Sequence, residues 1–147
     1  MRSELHVLVH APFDRIFDLA AEVERWPERL PHYRYVRRLP GANGERRFTM
    51  GARRGPIPVR WEAVQTPLHD ERRIEFVHTG GVTRGMGVAW RFEQRGEAVD
   101  VSIEHHLELG WPVIGGVAER VIGRQFIEAI AGRTLRRIRE LAEGGGP

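Results

Sequence analysis

A proline-free stretch from about Val117 to Glu143 closes this chain, and it constrains the fold more than any segment before it. Gly110-Trp111-Pro112 and Gly115-Gly116 precede it, and Gly144-Gly145-Gly146-Pro147 follows. Arg136, Arg137 and Arg139 fall in its last turns. Breakers at both ends, basic residues late and glycine just beyond are the marks of one long helix. Ile127, Ile130, Ala131, Thr134, Leu135, Ile138, Leu141 and Ala142 recur at three- and four-residue steps, which places them on one stripe. Continued backwards, the stripe meets Gly123 and Gly116, with Arg120 beside them. The buried face is therefore expected to be bulky toward the C-terminus and nearly empty toward the N-terminus.

What this helix packs on follows from the chain before it. Residues 4–10 alternate and favour a strand. Pro12 suits the first turn of a short helix carrying Phe13, Ile16, Phe17, Leu19 and Ala20, ending near Ala21. A second short helix or turn is expected over 22–30, anchored by Trp26 and Leu30 and bounded by Pro27 and Pro31. From Tyr33 to Leu109 the pattern is strands and turns: 33–39, 45–52, 57–65, 72–79, 82–94 and 98–109. Thr66-Pro67 and His69-Asp70-Glu71 read as turns. Alternation with one apolar face belongs to an antiparallel sheet that is wet on one side. The expected class is α+β: a curved sheet of about six to seven strands wrapped on a terminal helix, with two short helices after the first strand. At 1.5 Å per residue, about 25 helical residues reach about 38 Å, enough to cross such a sheet.

The length of 147 residues suits one domain over 1–143, followed by a disordered tail over 144–147. With no cysteine there is no disulfide framework and no thiolate chemistry. No apolar run is long enough to span a bilayer, and residues 1–6 lack the apolar core of a signal peptide, so a cytoplasmic protein is expected. Every basic residue is arginine, and the doublets at 37–38, 46–47, 53–54, 72–73 and 136–137 are scattered. A nucleic-acid binder would gather them on one element, and the net charge is only +3.

Several strings resemble the START-like, or helix-grip, superfamily, and in particular its polyketide cyclase/dehydrase and lipid-transport branch. They are Ala11-Pro12 followed by Ile16-Phe17-Asp18-Leu19, then Val23 to Pro31 with its Trp26-Pro27 pair, the Trp61 strand, Gly85 to Phe92, and the helix end Thr134 to Ile138. The resemblance covers nearly the whole chain. It implies a cavity between sheet and terminal helix that holds an apolar or aromatic small molecule. That superfamily spans carriers, cyclases, chaperones and receptors, so function has to come from the site.

Alternation lists the inward face: Phe48, Met50, Ile57, Val59, Trp61, Ile74, Phe76, His78, Met86, Val88, Trp90, Phe92, Val101, Ile103 and His105, with Ile127, Ile130 and Thr134 from the helix. Such a face lines a ligand cavity or a dry core equally well. The candidate ligand-binding residues are Phe48, Met50, Trp61, Phe76, His78, Met86, Trp90, His105, Arg120, Gly123, Ile127 and Ile130. His78 and His105 stand out as polar groups on an apolar face. Each either orients a ligand or acts as a general acid or base, or is simply a hydrogen-bonded histidine at a strand end. His105 and His106 are adjacent in a strand and point to opposite faces, so they do not chelate one ion together. Tyr33 and Tyr35 have ambiguous parity and stay unassigned. Ser3 and Ser102 lie in no nucleophile motif, Ser102 has outward parity, and no phosphate loop opens a helix. No cofactor or metal is implied. Val117, Ala118, Val121 and Ile122 form a second apolar face, clasped by a loop near Trp26 or turned to a membrane surface or a homodimer partner. The expected function is binding of an apolar, lipid-like or polyketide-like molecule. The alternatives are a cofactor-free cyclase or aromatase, or a quinone or lipid chaperone.

Overall fold

The computed structural model describes residues 2–81, 83–107 and 124–144. Strand β1 (Arg2–Val9) leads into helix α1 (Phe13–Ala21), a 3-10 turn (Val23–Arg25) and the short helix α2 (Trp26–Arg29). Six strands follow: β2 (Tyr33–Leu39), β3 (Arg46–Arg54), β4 (Ile57–Leu68), β5 (Arg73–Gly81), β6 (Gly87–Arg95) and β7 (Ala98–His106). Helix α3 (Arg124–Glu143) ends the fold. The strands form one seven-stranded sheet in the order β1-β7-β6-β5-β4-β3-β2, with every neighbouring pair antiparallel. β1 and β2 thus sit at opposite edges, and α1 and α2 carry the chain between them. No helix of the described residues is long and apolar enough to cross a membrane.

Register shifts between Tyr33 and Tyr35 on β2 and between Glu62 and Ala63 on β4 break the ladder and let the sheet curl. Helix α3 lies in the concavity. Its Ile127, Ala131, Leu135, Ile138 and Ala142 are buried, at the four- and three-residue steps of one stripe. The C-terminal end of α3 is pinned at the β1–α1 corner. Arg15 donates from Nε to the Ala142 carbonyl at 2.9 Å and from Nη2 to the Leu141 carbonyl at 3.0 Å. The His10 backbone N–H donates to Glu143 Oε2 at 2.8 Å. A cation on otherwise unpaired helix carbonyls satisfies them and complements the helix dipole. Pro12 is the residue before α1 and Phe13 opens it, so Ile16, Phe17, Leu19 and Ala20 turn inward. Gln65 joins that layer to the sheet: its Nε2 donates to the Ala21 carbonyl at 2.9 Å while Oε1 accepts from Arg46 Nε at 2.8 Å.

The structure departs from the expected boundaries where turn chemistry competes with sheet context. The Thr66-Pro67 turn is absent, because β4 runs on to Leu68. Pairing with β3 ends at Gln65, so Pro67 sits on a strand with only β5 beside it, the setting that tolerates a missing N–H. Strand β6 starts at Gly87 rather than Val82. The chain before it is held in a turn by His78 N–H to the Met86 carbonyl and Gly85 N–H to the His78 carbonyl, both 2.9 Å. Gly81 has φ +91°, and a Cβ there would meet the Arg60 carbonyl at 2.5 Å, so this corner requires glycine. Pro27 lies inside the first turn of α2 instead of bounding it. β7 runs to His106 with Leu107 already outside it, and residues 108–109 of the expected strand lie outside the described residues. Ile57 keeps inward parity but is 53% exposed, because it lies at the β3–β4 hairpin end, where little packs on it. Ser102 has the outward parity yet is buried, flanked by His6 and Arg91 in the register. The expected helical start at Val117 to Gly123, the second apolar face, and most of the tail lie outside the described residues. Gly144 is described and closes α3 through its N–H to the Glu140 carbonyl at 2.8 Å.

Candidate functional site

A cavity of about 80 Å³ lies between the concave face of the sheet and the N-terminal half of α3. Each layer contributes by parity. β3 supplies Met50, β4 Val59 and Trp61, β5 Phe76 and His78, β6 Val88 and Trp90, and β7 Ile103 and His105. Trp26 and Tyr33 close one side, and Thr83 and Met86 come from the turn before β6. Phe126, Ile127, Ile130, Ala131 and Thr134 form the helix wall. The aromatic rings contact one another: Trp26 lies 5.0 Å from Tyr33 and 6.1 Å from Trp90, and Tyr33 lies 5.9 Å from Trp61.

The candidate residues Met50, Trp61, Phe76, His78, Met86, Trp90, His105, Ile127 and Ile130 all line this cavity. Phe48 does not. It is fully buried two residues along β3 from Met50, with the Arg38 and Arg46 guanidinium groups 5.8 and 5.3 Å from its ring. Its inward parity holds, but it serves the hydrophobic core rather than the cavity wall. Arg120 and Gly123 lie outside the described residues. Sequence reasoning passed over Trp26, Tyr33, Thr83, Phe126 and Ala131 as lining residues. Phe126 was legible, since it stands four residues before Ile130 on the same stripe. Tyr33 was hidden by the register shift beside it, which resets strand parity. That shift also turns Tyr35 to the other face, where its ring covers Gly51 so closely that no Cβ would fit beneath it.

Two histidines face the cavity in different states. The His78 ring is stacked on Trp61, with centroids 5.7 Å apart and planes 5° apart. Its Nδ1 is 2.6 Å from Thr83 Oγ1, so one ring nitrogen is already engaged. Burial, and then the proximity of His105, lowers its pKa to about 3. His105 is equally buried, but its Nδ1 has no hydrogen-bond partner among the described residues. Burial lowers its pKa to about 4, against the pull of the Glu128 carboxylate. Glu128 accepts a 2.5 Å hydrogen bond from the Ser3 hydroxyl, and Ser3 stands opposite His105 in the β1–β7 register. Ser3 is therefore engaged in holding Glu128. His105 is buried and its neighbour His106 exposed, as strand alternation requires.

A third polar group borders the cavity at Tyr33. Burial holds its phenol protonated, far above the ordinary range, with a hydrogen bond to Thr134 acting the other way. The Thr134 hydroxyl lies 2.9 Å from the Ile130 carbonyl and 2.8 Å from His32 Nε2, so it ties the helix to both His32 and Tyr33. Burial, followed by the charges of Arg133 and Arg136, lowers the His32 pKa to about 4. Near neutral pH the titratable groups that face the cavity among the described residues, His78, His105 and Tyr33, are thus all uncharged. Such a space favours apolar surface and uncharged hydrogen-bonding groups, and the Nδ1 of His105 is available to one of them.

Comparison with known proteins follows the same line. The chain is 28% identical, over 97% of its length, to the actinorhodin polyketide synthase bifunctional cyclase/dehydratase of Streptomyces coelicolor. It spans about half of that relative, 46% of its length. The crystal structure of TTHA0849 from Thermus thermophilus superposes with a TM-score of 0.83 at 18% identity, with all of both chains covered. The Zhui aromatase/cyclase from Streptomyces sp. R1128 superposes with a TM-score of 0.78 at 20% identity, covering 100% of this chain and 99% of that one. Likeness at such identities speaks for the fold. The sequence profile of the polyketide cyclase/dehydrase and lipid-transport family matches residues 9–131, which take in both short helices, six of the seven strands and the start of α3. With the helix-grip architecture around it, the chain belongs to this START-like family of polyketide cyclases/dehydrases and lipid-transport proteins.

Proposed function

We propose that this protein binds an apolar small molecule carrying at least one ring, with the ring enclosed between Trp61, Trp90 and the Ile127–Ile130 wall. The observation that supports this most is a cavity lined by aromatic and aliphatic side chains whose titratable groups, among the described residues, are all neutral. Burying apolar ligand surface there contributes about 25 cal/mol per Å² before the costs of association. At about 80 Å³ the cavity is small for a multi-ring molecule, because ligand sites commonly run to about 300 Å³ or more. Met50 and Met86 line it, and unbranched methionine side chains adapt to a guest at low cost. Binding therefore involves movement of these two side chains. The test is native mass spectrometry and fluorescence titration with the neutral probe N-phenyl-1-naphthylamine. The wild type should bind it and Ile130→Trp, which fills the cavity, should not; equal binding by both, or none by either, contradicts the proposal.

A second reading, turnover, is favoured by the unpartnered Nδ1 of His105. A neutral imidazole facing an apolar cavity can take the proton α to a carbonyl. Returned to a departing β-hydroxyl, that proton leaves as water while a C–C double bond forms, so no cofactor enters the balance. The Streptomyces coelicolor cyclase/dehydratase is named for chemistry of this kind. His105→Gln should then abolish enone formation from a bound β-hydroxy ketone while probe affinity stays within about twofold. Unchanged turnover in His105→Gln overturns this reading and leaves the binding proposal standing.

A further inference from the structure

Arg54 is the last residue of β3, and its parity is inward: Phe48, Met50 and Ala52 precede it on the buried face. It pairs in register with Ile57 across the β3–β4 hairpin, and both are exposed. Its guanidinium lies 5.7 Å from the centroid of the Phe126 ring, and Phe126 lines the cavity. The charge therefore sits against the cavity wall at its rim, while its own side chain faces water.

Among the described residues around it the acids are few. No Asp or Glu occurs from Arg46 to Trp61, whereas Arg53 and Arg60 flank the same hairpin. Glu62 lies over Gly80 on the opposite face of the sheet, and Glu128 is engaged by Ser3. Arg54 has no carboxylate partner among the described residues. An arginine held by stacking, with its donor fork unpaired, matches a carboxylate or phosphate at the site. The interior offers the opposite environment. The histidines and the phenol inside are neutral, so an anion carried inward would find no counter-charge among the described residues and suffer a large desolvation cost.

We propose that the molecule bound in this cavity is an amphipathic anion, with its apolar ring-bearing body inside and one acid group left at the rim on Arg54. This rests on the binding proposal above and adds the ligand's charge and orientation. It makes Arg54 a specificity-determining residue. Neutral ligands of the same body lose only the rim contact, whereas ligands with an acid at the inner end are rejected.

The test compares two probes that share a body. N-phenyl-1-naphthylamine is neutral, and 1-anilinonaphthalene-8-sulfonate is the same skeleton bearing one sulfonate. At low salt the sulfonate should bind the wild type more tightly. Arg54→Glu should weaken it by about three- to tenfold and leave the neutral probe within about twofold. Arg91→Glu, the same charge change at an exposed residue on the far face of β6, should leave both affinities unchanged. Equal loss in both variants means a general charge effect and overturns the assignment. Sulfonate affinity unaltered in Arg54→Glu, with both probes still displaced by Ile130→Trp, overturns the anion inference and leaves the cavity reading intact. Failure of the wild type to bind either probe overturns both.

Discussion

At the scale of residues, three buried histidines, two of them in the site, are kept neutral for related reasons. Burial leads the cause for His32, His78 and His105, and lowers each from 6.5 to about 4, 3 and 4. The unfolded chain therefore binds more protons than the native one as pH falls below the ordinary histidine range. Stability is complete above about pH 6.5 and is lost progressively toward pH 4, by several kcal/mol in total, at about 1.4 kcal/mol for each tenfold weakening of proton binding. His69 acts with the opposite sign, since Asp14 and then Asp70 raise its pKa, but it is exposed at the surface and adds little. Urea midpoints measured from pH 7 down to 4 should fall steeply, and His32→Asn together with His78→Asn should flatten the slope. A flat profile in the wild type would show that these rings are solvated. Gly81 gives a second test. Its φ of +91° and the backbone 2.5 Å from a Cβ predict that Gly81→Ala costs about 2 kcal/mol or more and disturbs the turn carrying Thr83 and Met86. Thermal melting with a probe titration checks both effects.

Among the elements, helix α3 and the strands on which it rests explain what could be read from the chain and what could not. The apolar stripe from Ile127 to Ala142 is a local pattern of period 3.6, so it survives in the sequence. Strand parity likewise brought His78 and His105 to one face before any contact was known. What parity cannot carry is a reset. The shift beside Tyr33 moved that residue inward and Tyr35 outward, and the turn over residues 83–86 replaced the expected start of β6. Ile57 fails for a third reason: alternation gives the face, but coverage depends on how far the elements above reach. The pinning of α3 is also tertiary, since Arg15 and the Ala142 carbonyl are far apart in sequence. Arg15→Ala should cost about 1–2 kcal/mol by leaving two carbonyls without their charged donor, and hydrogen exchange should show earlier fraying of the last turn. Leu135→Ala, inside the stripe, should cost about 2–5 kcal/mol in a denaturant titration. A smaller loss at Leu135 than at Arg15 would contradict the view that packing on the sheet, rather than its end contacts, holds the helix.

For the whole molecule, the sheet is curved by two irregularities and filled unevenly by one helix. Toward its C-terminal end α3 packs as a core element on β1 and α1. Toward its N-terminal half it stands off the sheet enough to leave a cavity rimmed by Phe126 and Arg54. The same element thus stabilises at one end and leaves space at the other, and the aromatic lining with its neutral histidines gives that space its chemistry. Methionine offers a direct view of it. The chain has three methionines, Met1, Met50 and Met86, and the last two line the cavity. The decisive measurement is methyl NMR of protein labelled at the methionine methyls, titrated with N-phenyl-1-naphthylamine. The Met50 and Met86 resonances should shift together and saturably, and lose that response in Ile130→Trp. A saturable response confined to Met1, or none at all while the probe still binds, would place the ligand elsewhere and contradict the account.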